Sequence, residues 1–263
     1  MSAPAAVPAA GPAIAEAQLR YVLRLADTSL VLGQRLGEWV GHAPQLEEDL
    51  GLANLALDLI GQARLLLTYA GELEGRGRDE DALAFLRDAP QFFNLTLVEQ
   101  PNGDFGHTIV RQWLTDCWQL VLYQGLSASS DQRLAAIAAK AVKETRYHHR
   151  FSSGWLTRLG DGTKESHRRV QQSVEELWRF TGELFSPDDI DLAVAAAGIA
   201  PHLSALEPAW SAQVDADLKA ATLARPAAQP YPWHGKRGVH TEHLSHLLAE
   251  MQHLQRTYPG ARW

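Results

Sequence analysis

"GELEGRGRDEDALAFLRDAPQFFNLTLVEQPNGDF", residues 71–105, is the stretch of this chain that decides its fold. It mixes glycines, prolines and charged residues without a sustained apolar repeat, whereas the segments on both sides carry apolar residues three and four positions apart. That spacing is typical of amphipathic helices. The stretch is therefore a long connection, and it divides the helical part of the chain into two halves.

Each half begins with a predicted helix pair. The first two helices carry the repeats Leu19, Val22, Leu23, Ala26, Leu30 and Leu52, Leu55, Leu59, Gln62, Leu66. A third helix is predicted at about 105–126, and a fourth follows the capping candidates Ser130 and Asp131. Short turns join the members of each pair, and no period-two alternation predicts a strand.

Two helix hairpins joined by a long crossover are the pattern of the ferritin-like four-helix bundle. Further helices are predicted at about 164–184, 204–224 and 240–257, with an extended Pro-rich loop at 225–238. The predicted fold is all-α, a ferritin-like four-helix bundle with additional C-terminal helices. Since no Gly/Ser-rich linker interrupts it, residues 16–263 are expected to form one domain after a flexible Ala/Pro-rich tail, 1–15.

Composition excludes several classes of protein. The net charge of −7 over 263 residues argues against nucleic acid as a partner. A single cysteine, Cys117, excludes an intrachain disulfide or a Cys-rich metal site, and its apolar surroundings predict a buried thiol. No run of about eighteen apolar residues predicts a membrane span. The N-terminus lacks the basic segment of a signal peptide, so a cytoplasmic location is expected.

"KETRYHHRFS", residues 143–152, almost spells the Glu-x-x-His of carboxylate-bridged di-metal sites. Glu144 and His148 stand four apart, and Thr145 occupies the position three before the histidine. At about 100° per residue, Thr145 and His148 face the core and Glu144 lies on the flank. Because threonine cannot replace a carboxylate as an anionic ligand, this motif is incomplete.

The other helices offer few ligands. On the second helix the core-facing positions three apart are Leu59 and Gln62, and on the third Asp116 faces the core. Asp116 and His148 are thus the sound ligand types on core faces, too few for a di-metal centre. We predict a buried polar pair, hydrogen-bonded to Thr145, Gln62 or each other, with no metal and no catalytic residue in this chain.

Several long motifs resemble one family. "RLGEWVGHAPQLEEDLGLANLALDLIGQAR" (35–64), "FFNLTLVEQPNGDF" (92–105), "KETRYHHRFSSGWLTRLGDGT" (143–163), "ELWRFTGELF" (176–185) and "GKRGVHTEHLSHLLAEMQHLQR" (235–256) are similar to C subunits of the bacterial phenylacetyl-CoA ring epoxidase, a ring 1,2-monooxygenase. The resemblance covers essentially all of the chain after the N-terminal tail.

The resemblance implies a division of labour. A homologous A subunit holds the di-iron centre and binds substrate, the C subunit pairs with it as a structural partner, and a reductase subunit with flavin and an iron–sulfur cluster supplies electrons. The catalytic relative's Lys-Glu-Glu-x-x-His has Thr145 in place of its ligand glutamate here. Its second Glu-x-x-His falls on Leu59 and Gln62. The resemblance thus implies that the metal site has drifted and that this chain holds no cofactor.

The resemblance also implies substrate contacts, with phenylacetyl-CoA at or near the subunit interface. The implied contact residues are Gln91, Phe92, Phe93, Asn94, Leu192, Ala193 and Val194. Alternatively, Phe92 and Phe93 anchor the crossover on the bundle. Lys236 and Arg237 form a short basic cluster that either meets phosphate or an acidic subunit, or is simply solvated.

Two further features remain open from sequence. His243, His246 and His253 are ligand types on one helix, but without converging carboxylates we interpret them as cap and interface residues. The chain has eight tryptophans, which is typical of permanent interfaces, although each is equally compatible with the core.

Three hypotheses follow. The first is a non-catalytic subunit of the epoxidase. The second is an independent di-metal oxidase with atypical ligands, Glu38, Asp58, Asp116, Glu144 and His148. The third is a homo-oligomeric scaffold unrelated to oxygenase chemistry.

Overall fold

The computed structural model describes residues 14–227 and 230–261, and these form helices, turns and loops without a strand. The helices are α1 (Ile14–Gly37), α2 (Leu46–Glu74), α3 (Glu80–Phe85), α4 (Phe105–Leu126), α5 (Gln132–Gly160), α6 (Lys164–Trp178), α7 (Gly182–Phe185), α8 (Asp189–Ala196), α9 (Leu203–Ala220), α10 (Glu242–Met251) and α11 (His253–Thr257). Short 3-10 turns lie at Ala89–Gln91 and Gly235–Arg237.

The long helices pack as two pairs. α1 lies along α2, α4 lies along α5, and α2 meets α5 where the pairs join. The connection from α2 to α4 crosses from one pair to the other and contributes buried residues such as Phe92 and Leu97 to the core. The predicted all-helical fold, with two helix hairpins and a long crossover, is confirmed.

Two short helices were not predicted. α3 lies within the crossover and begins after Asp79, whose side chain accepts a hydrogen bond from the backbone N–H of Ala82. α8 begins after Asp188, which accepts from the N–H groups of Ile190 and Asp191. Each helix starts with an aspartate N-cap but is too short to show an apolar repeat.

The N-terminal boundary falls near the expected one. α1 begins at Ile14, so the last two residues of the expected tail, 14 and 15, belong to the helix. The remainder of that tail lies outside the described residues. The predicted loop at 225–238 contains only a 3-10 turn in its described part.

Helix α2 is apolar on more than one side. By length and composition it is able to cross a membrane, with a mean hydropathy of 1.4 over its most apolar window, of which 44% is buried inside the protein. No such segment was predicted from sequence, because Asp58 and Arg64 interrupt the apolar run. The buried part of α2 faces α1 and α5, as in the core helix of a globular protein.

Buried ion pairs fasten the crossover and the C-terminal segments to α1. Arg24 pairs with Asp188, with Nη2 2.5 Å from Oδ2, and Asp27 pairs with Arg87 of the crossover. Glu99 lies 2.7 Å from His240 through Oε2 and Nδ1. These contacts cover α1, while α6 and α9 cover α4.

Candidate functional site

The positions that the resemblance aligns with metal ligands lie in the interior of the protein. Leu59 and Gln62 of α2, Asp116 of α4, and Thr145 and His148 of α5 are each at most 1% exposed. The helical periodicity therefore predicted their burial correctly. What these side chains contact decides whether they are able to hold a metal.

His148 is paired at the edge of the bundle. Its Nε2 lies 3.0 Å from Oδ2 of Asp58, and its Nδ1 has no hydrogen-bond partner. The hydroxyl of Thr145 is also unpartnered. The predicted partners of His148 were therefore wrong. α2 and α5 lie close enough for Asp58, one residue before Leu59, to reach across, and the sequence of neither helix reports that register.

Asp116 is satisfied by neighbours on its own helix and on α5. Gln112 donates to Oδ1 at 2.6 Å and Ser152 donates to Oδ2 at 2.7 Å. Burial raises the pKa of Asp116 to about 6, although both hydrogen bonds and the nearby His148 oppose the rise. Neither donor was predicted from sequence. Gln112 is the one with a detectable signal, because it lies four residues before Asp116 on one helix face.

Gln62 links α2 to the flank of α5. Its amide nitrogen donates to Oε2 of Glu144 at 3.0 Å, and its carbonyl accepts from the hydroxyl of Tyr123 at 3.3 Å. Glu144 is also held by Lys140, with Nζ 2.7 Å from Oε1. Glu144 therefore lies on the flank, as predicted, and is engaged by two partners there.

These residues do not fit a di-iron centre. Such a centre needs bridging carboxylates and histidines from facing helices, whereas the core-facing positions here carry Leu59 and Thr145 in place of carboxylates and Gln62 in place of a histidine. Glu38 is engaged elsewhere, since its carboxylate accepts from Arg35 and from Asn102, each at 2.8 Å. The atypical ligand set of the independent oxidase does not converge on one point.

A second cluster lies between α4, α5 and α9. Ligand atoms of Cys117, His149 and Asp217 are all within 4.8 Å of one another. Oδ2 of Asp217 accepts from the indole N–H of Trp113 at 2.8 Å and lies 2.8 Å from Nε2 of His149. The thiol of Cys117 lies 3.8 Å from the same oxygen. One carboxylate oxygen thus serves three neighbours.

The charged and neutral groups of this cluster stabilise the packing of the helices. Burial alone would lower the pKa of His149, but the hydrogen bond and charge of Asp217 outweigh it and raise that pKa. Burial raises the pKa of Cys117, so the thiol stays protonated, as its predicted burial implies. A protonated thiol and a fully engaged carboxylate are poor metal ligands. The cluster joins α9 to the bundle, and the role of Asp217 in it was not predicted from sequence.

The first of the two candidate substrate segments is largely buried. Phe92 and Asn94 are fully buried, and Asn94 donates to Oε2 of Glu99 at 2.9 Å. Phe93 lies under the guanidinium of Arg20, 3.8 Å from the ring centroid. Gln91 is exposed, with its side chain accepting from the N–H of Asp88 at 2.8 Å. Phe92 and Phe93 therefore anchor the crossover.

The second candidate segment lies in α8. Leu192 is exposed, Ala193 is partly buried and Val194 is fully buried. Asp191, beside them, pairs with Arg24 of α1 at 3.1 Å. The N–H of Phe93 donates to Asp27, also on α1. α1 therefore brings both candidate segments to one side of the molecule, while their most buried side chains are turned inward.

Lys236 is ion-paired inside the chain rather than solvated. It is buried, and its Nζ lies 2.6 Å from Oδ2 of Asp191. Arg237 remains exposed beside Asp188. A cavity of about 310 Å³ lies next to them, and its lining mixes cations such as Arg20 with carboxylates such as Glu16. Lys236 thus belongs to the ion pairs that fasten the C-terminal segment.

The histidine with the most contacts in the C-terminal region is His240. Its Nε2 lies 2.8 Å from the carbonyl of Phe92, and Glu99 raises its pKa although burial alone would lower it. His246 and His253 are exposed and His243 is half-buried. The described tryptophans are all buried or partly buried against the core, and Trp263 lies outside the described residues. The described tryptophans therefore provide no exposed interface.

A protein-family model described as "Phenylacetic acid catabolic protein" matches residues 5–263. The chain belongs to this family. A curated relative, the C subunit of 1,2-phenylacetyl-CoA epoxidase from Escherichia coli (strain K12), is 58% identical over 243 residues, which cover 92% of this chain and 98% of the relative. Membership of the phenylacetic acid catabolic family agrees with the all-helical fold. The name of the relative describes one subunit, and therefore a complex.

Proposed function

We propose that this chain is a non-catalytic structural subunit of the phenylacetyl-CoA epoxidase complex in aerobic phenylacetate catabolism. It pairs with the homologous di-iron catalytic subunit and stabilises it. Support comes from the 58% identity to the C subunit of an epoxidase over nearly the whole of both chains. The family match over residues 5–263 supports the same pathway.

The observation that carries the non-catalytic role is the state of the drifted site. Thr145 and Leu59 occupy positions that need carboxylates, Gln62 occupies one that needs a histidine, and all three are buried where a metal would lie. The acids that remain nearby are taken up by protein donors: Asp116 by Gln112 and Ser152, and Asp58 by His148. A bundle whose polar groups are largely satisfied by one another is stable without a metal.

The cofactors of the reaction then belong to other subunits. In this proposal the di-iron centre is in the catalytic partner, and flavin and an iron–sulfur cluster are in the reductase. This chain contributes packing surface to a cytoplasmic complex. Its contribution to the thioester site is confined to accessible groups, Gln91 and Leu192, because Phe92, Asn94 and Val194 are buried inside the chain.

The test is to express the catalytic subunit with and without this chain. We expect the catalytic subunit to be soluble and to load iron only when the chain is present, and the pair to co-purify. Turnover of phenylacetyl-CoA by the reconstituted complex provides the functional readout. A catalytic subunit that is equally soluble and active without this chain would overturn the proposal.

A further inference from the structure

The outward side of α2 carries a stripe of exposed leucines. Leu46, Leu50 and Leu57 are 70%, 57% and 66% exposed, and Ile60 and Leu65 are each more than a third exposed. Spacings of four, seven and three residues keep Leu46, Leu50, Leu57 and Ile60 on one side of the helix, and Leu65 lies toward its flank. The opposite side carries the buried residues that face α1 and α5. α2 is thus apolar on both its inner and its outer side.

This side is the uncovered face of the bundle. The crossover, α8 and α10 contact α1, whereas α6 and α9 contact α4 and α5. In the described part of the chain, α3 contacts α2, and no helix covers the exposed leucines. Contiguous apolar surface of this extent on a soluble protein marks an interaction site.

A basic rim runs beside the stripe along α5. Lys140, Lys143 and Arg150 are exposed, and Tyr147 among them is 40% exposed. The acid in this segment, Glu144, is partly buried and paired with Lys140 and Gln62. We call the leucine stripe, Tyr147 and this rim together the α2–α5 face.

We infer that the α2–α5 face is the surface on which the di-iron catalytic subunit docks. This inference rests on the proposed function and adds the location of the contact. The chemistry of the face requires a partner that presents an apolar helix opposite α2 and an acidic rim opposite α5. Complementary charge at the rim steers association and fixes register, while the buried leucines provide most of the binding free energy.

The size of the face suits a stable pair. The stripe from Leu46 to Leu65 is about 30 Å long, and two adjacent helices are about 20 Å wide. The face therefore offers roughly 600 Å², at the lower end of the ~600–1,000 Å² that each partner buries in a specific interface. Exposed leucines at its centre provide the apolar core that such an interface needs.

The face also lies directly over the drifted metal site. Asp58, whose side chain is 39% exposed, is on the outer flank of α2 and contacts the fully buried His148. A partner bound to the face would cover Asp58, whose hydrogen bond to His148 is already present. A lipid surface fits less well, because Glu47, Asp58 and Arg64 on the outer part of α2 would lose water without gaining partners.

The test compares two charge substitutions in the complete chain. Leu57→Asp places a carboxylate at the centre of the face, and Leu254→Asp places one on a similarly exposed leucine of α11, away from α2. Both residues are exposed, so both variants should keep the wild-type circular dichroism spectrum and melting temperature. Each variant is then co-expressed with the catalytic subunit, and the affinity is measured from the dissociation of the purified pair on dilution, by sedimentation at low and moderate salt.

We expect Leu57→Asp to weaken binding at least tenfold and Leu254→Asp to leave it within twofold. A double variant, Lys143→Glu with Arg150→Glu, should weaken binding at low salt and remove most of its salt dependence. If the wild-type chain binds and Leu57→Asp binds equally tightly, the docking face is overturned but the proposed function is not. Absence of wild-type binding would overturn both.

Two other occupants are distinguished in the same experiment. If sedimentation shows a wild-type homodimer that Leu57→Asp dissociates while binding to the catalytic subunit is unchanged, the face joins two copies of this chain. If Leu57→Asp abolishes binding to vesicles of phosphatidylglycerol and leaves subunit pairing intact, the face binds membrane. Either result contradicts the inference.

Discussion

His148 is a retained ligand type of the 143–152 motif, so its substitution tests whether this chain acts as a structural subunit or as a metal enzyme. Replacing it with alanine removes a buried ring and its contact with Asp58, so the free energy of unfolding should fall by roughly 1–3 kcal/mol. Turnover and iron content of the assembled complex should stay within a few-fold of wild type. Denaturant unfolding of the chain and turnover of the complex measure the two effects.

The control for this substitution is His246→Ala, on an exposed histidine of α10, which should leave stability nearly unchanged. Complete loss of iron and turnover from a well-folded complex containing His148→Ala would contradict a non-catalytic role for this chain.

Asp116 imposes a pH-dependent cost on the folded chain. Its pKa is about 6 when folded and near 3.8 when unfolded, so the unfolded chain releases the proton at lower pH. Wild-type stability should therefore fall as pH rises from about 4 to above 6. Asp116→Asn keeps an acceptor for Gln112 and a donor toward Ser152 without the buried charge.

We expect Asp116→Asn to gain stability relative to wild type between pH 4 and pH 8, by on the order of 3 kcal/mol. Chemical denaturation at both pH values measures the difference. If the difference in unfolding free energy between variant and wild type is the same at pH 4 and at pH 8, Asp116 is ionised at little cost when the chain is folded.

At the residue scale the sequence predicted burial better than contacts. The helical period alone placed Thr145, His148 and Asp116 in the interior, where they are. It did not predict the pairing of His148 with Asp58, because that contact depends on the register of α5 against α2. Apolar periodicity sets which side of a helix is inward, while hydrogen-bond partners depend on how neighbouring helices are aligned.

Among the helices, α9 is joined to α5 by the charged pair of Asp217 and His149. His149 has a raised pKa beside Asp217, so the stabilisation from its protonated form is fully present below the unfolded pKa of about 6.5. It is lost as pH rises through the folded pKa. His149→Gln, which keeps a donor toward Asp217, should therefore cost more stability at pH 6 than at pH 9.

Thermal unfolding at the two pH values tests this, with His246→Gln as the control on an exposed histidine. A penalty for His149→Gln that is larger at pH 9 than at pH 6 would mean that the pair is not held by charge.

The end of α5 makes a close contact that only glycine permits. A Cβ added at Gly160 would lie 2.2 Å from the carbonyl oxygen of Ala221, whereas one added at Gly154 on the same helix meets nothing within 4 Å. Gly160→Ala should destabilise the chain by roughly 1–3 kcal/mol. Gly154→Ala should stabilise it by up to about 1 kcal/mol.

Denaturant midpoints of the two variants measure this contrast. Equal effects of the two substitutions would show that the backbone at the contact between Gly160 and Ala221 shifts at little cost in stability.

At the element scale, length decided what the sequence revealed. α1, α2, α4 and α5 carry repeats over many turns and were predicted as helices, and the limits predicted for the third, about 105–126, match α4. The short helices α3 and α8 contain too few turns for periodicity, and their aspartate N-caps were the available signal. The fastening of α9 through Asp217 joins residues far apart in the chain, and no local pattern reports such a contact.

For the whole molecule, the sequence predicted the architecture and left the position of an interface open. Tryptophan abundance suggested an aromatic interface, yet the described tryptophans serve the core. The exposed apolar surface is instead a leucine stripe on α2. When a helix is apolar on both sides, its sequence does not show which side is buried. The packing of α1 and α5 against α2 shows which side is inward.

The most direct test of the non-catalytic role is elemental iron analysis of the purified chain, alone and assembled with the catalytic subunit. We predict iron near background in the isolated chain and iron in the assembled pair. The iron of the pair should be unaffected by Asp116→Asn or His148→Ala in this chain. Stoichiometric iron in the isolated chain, lost in those variants, would contradict the account and make this protein an oxygenase in its own right.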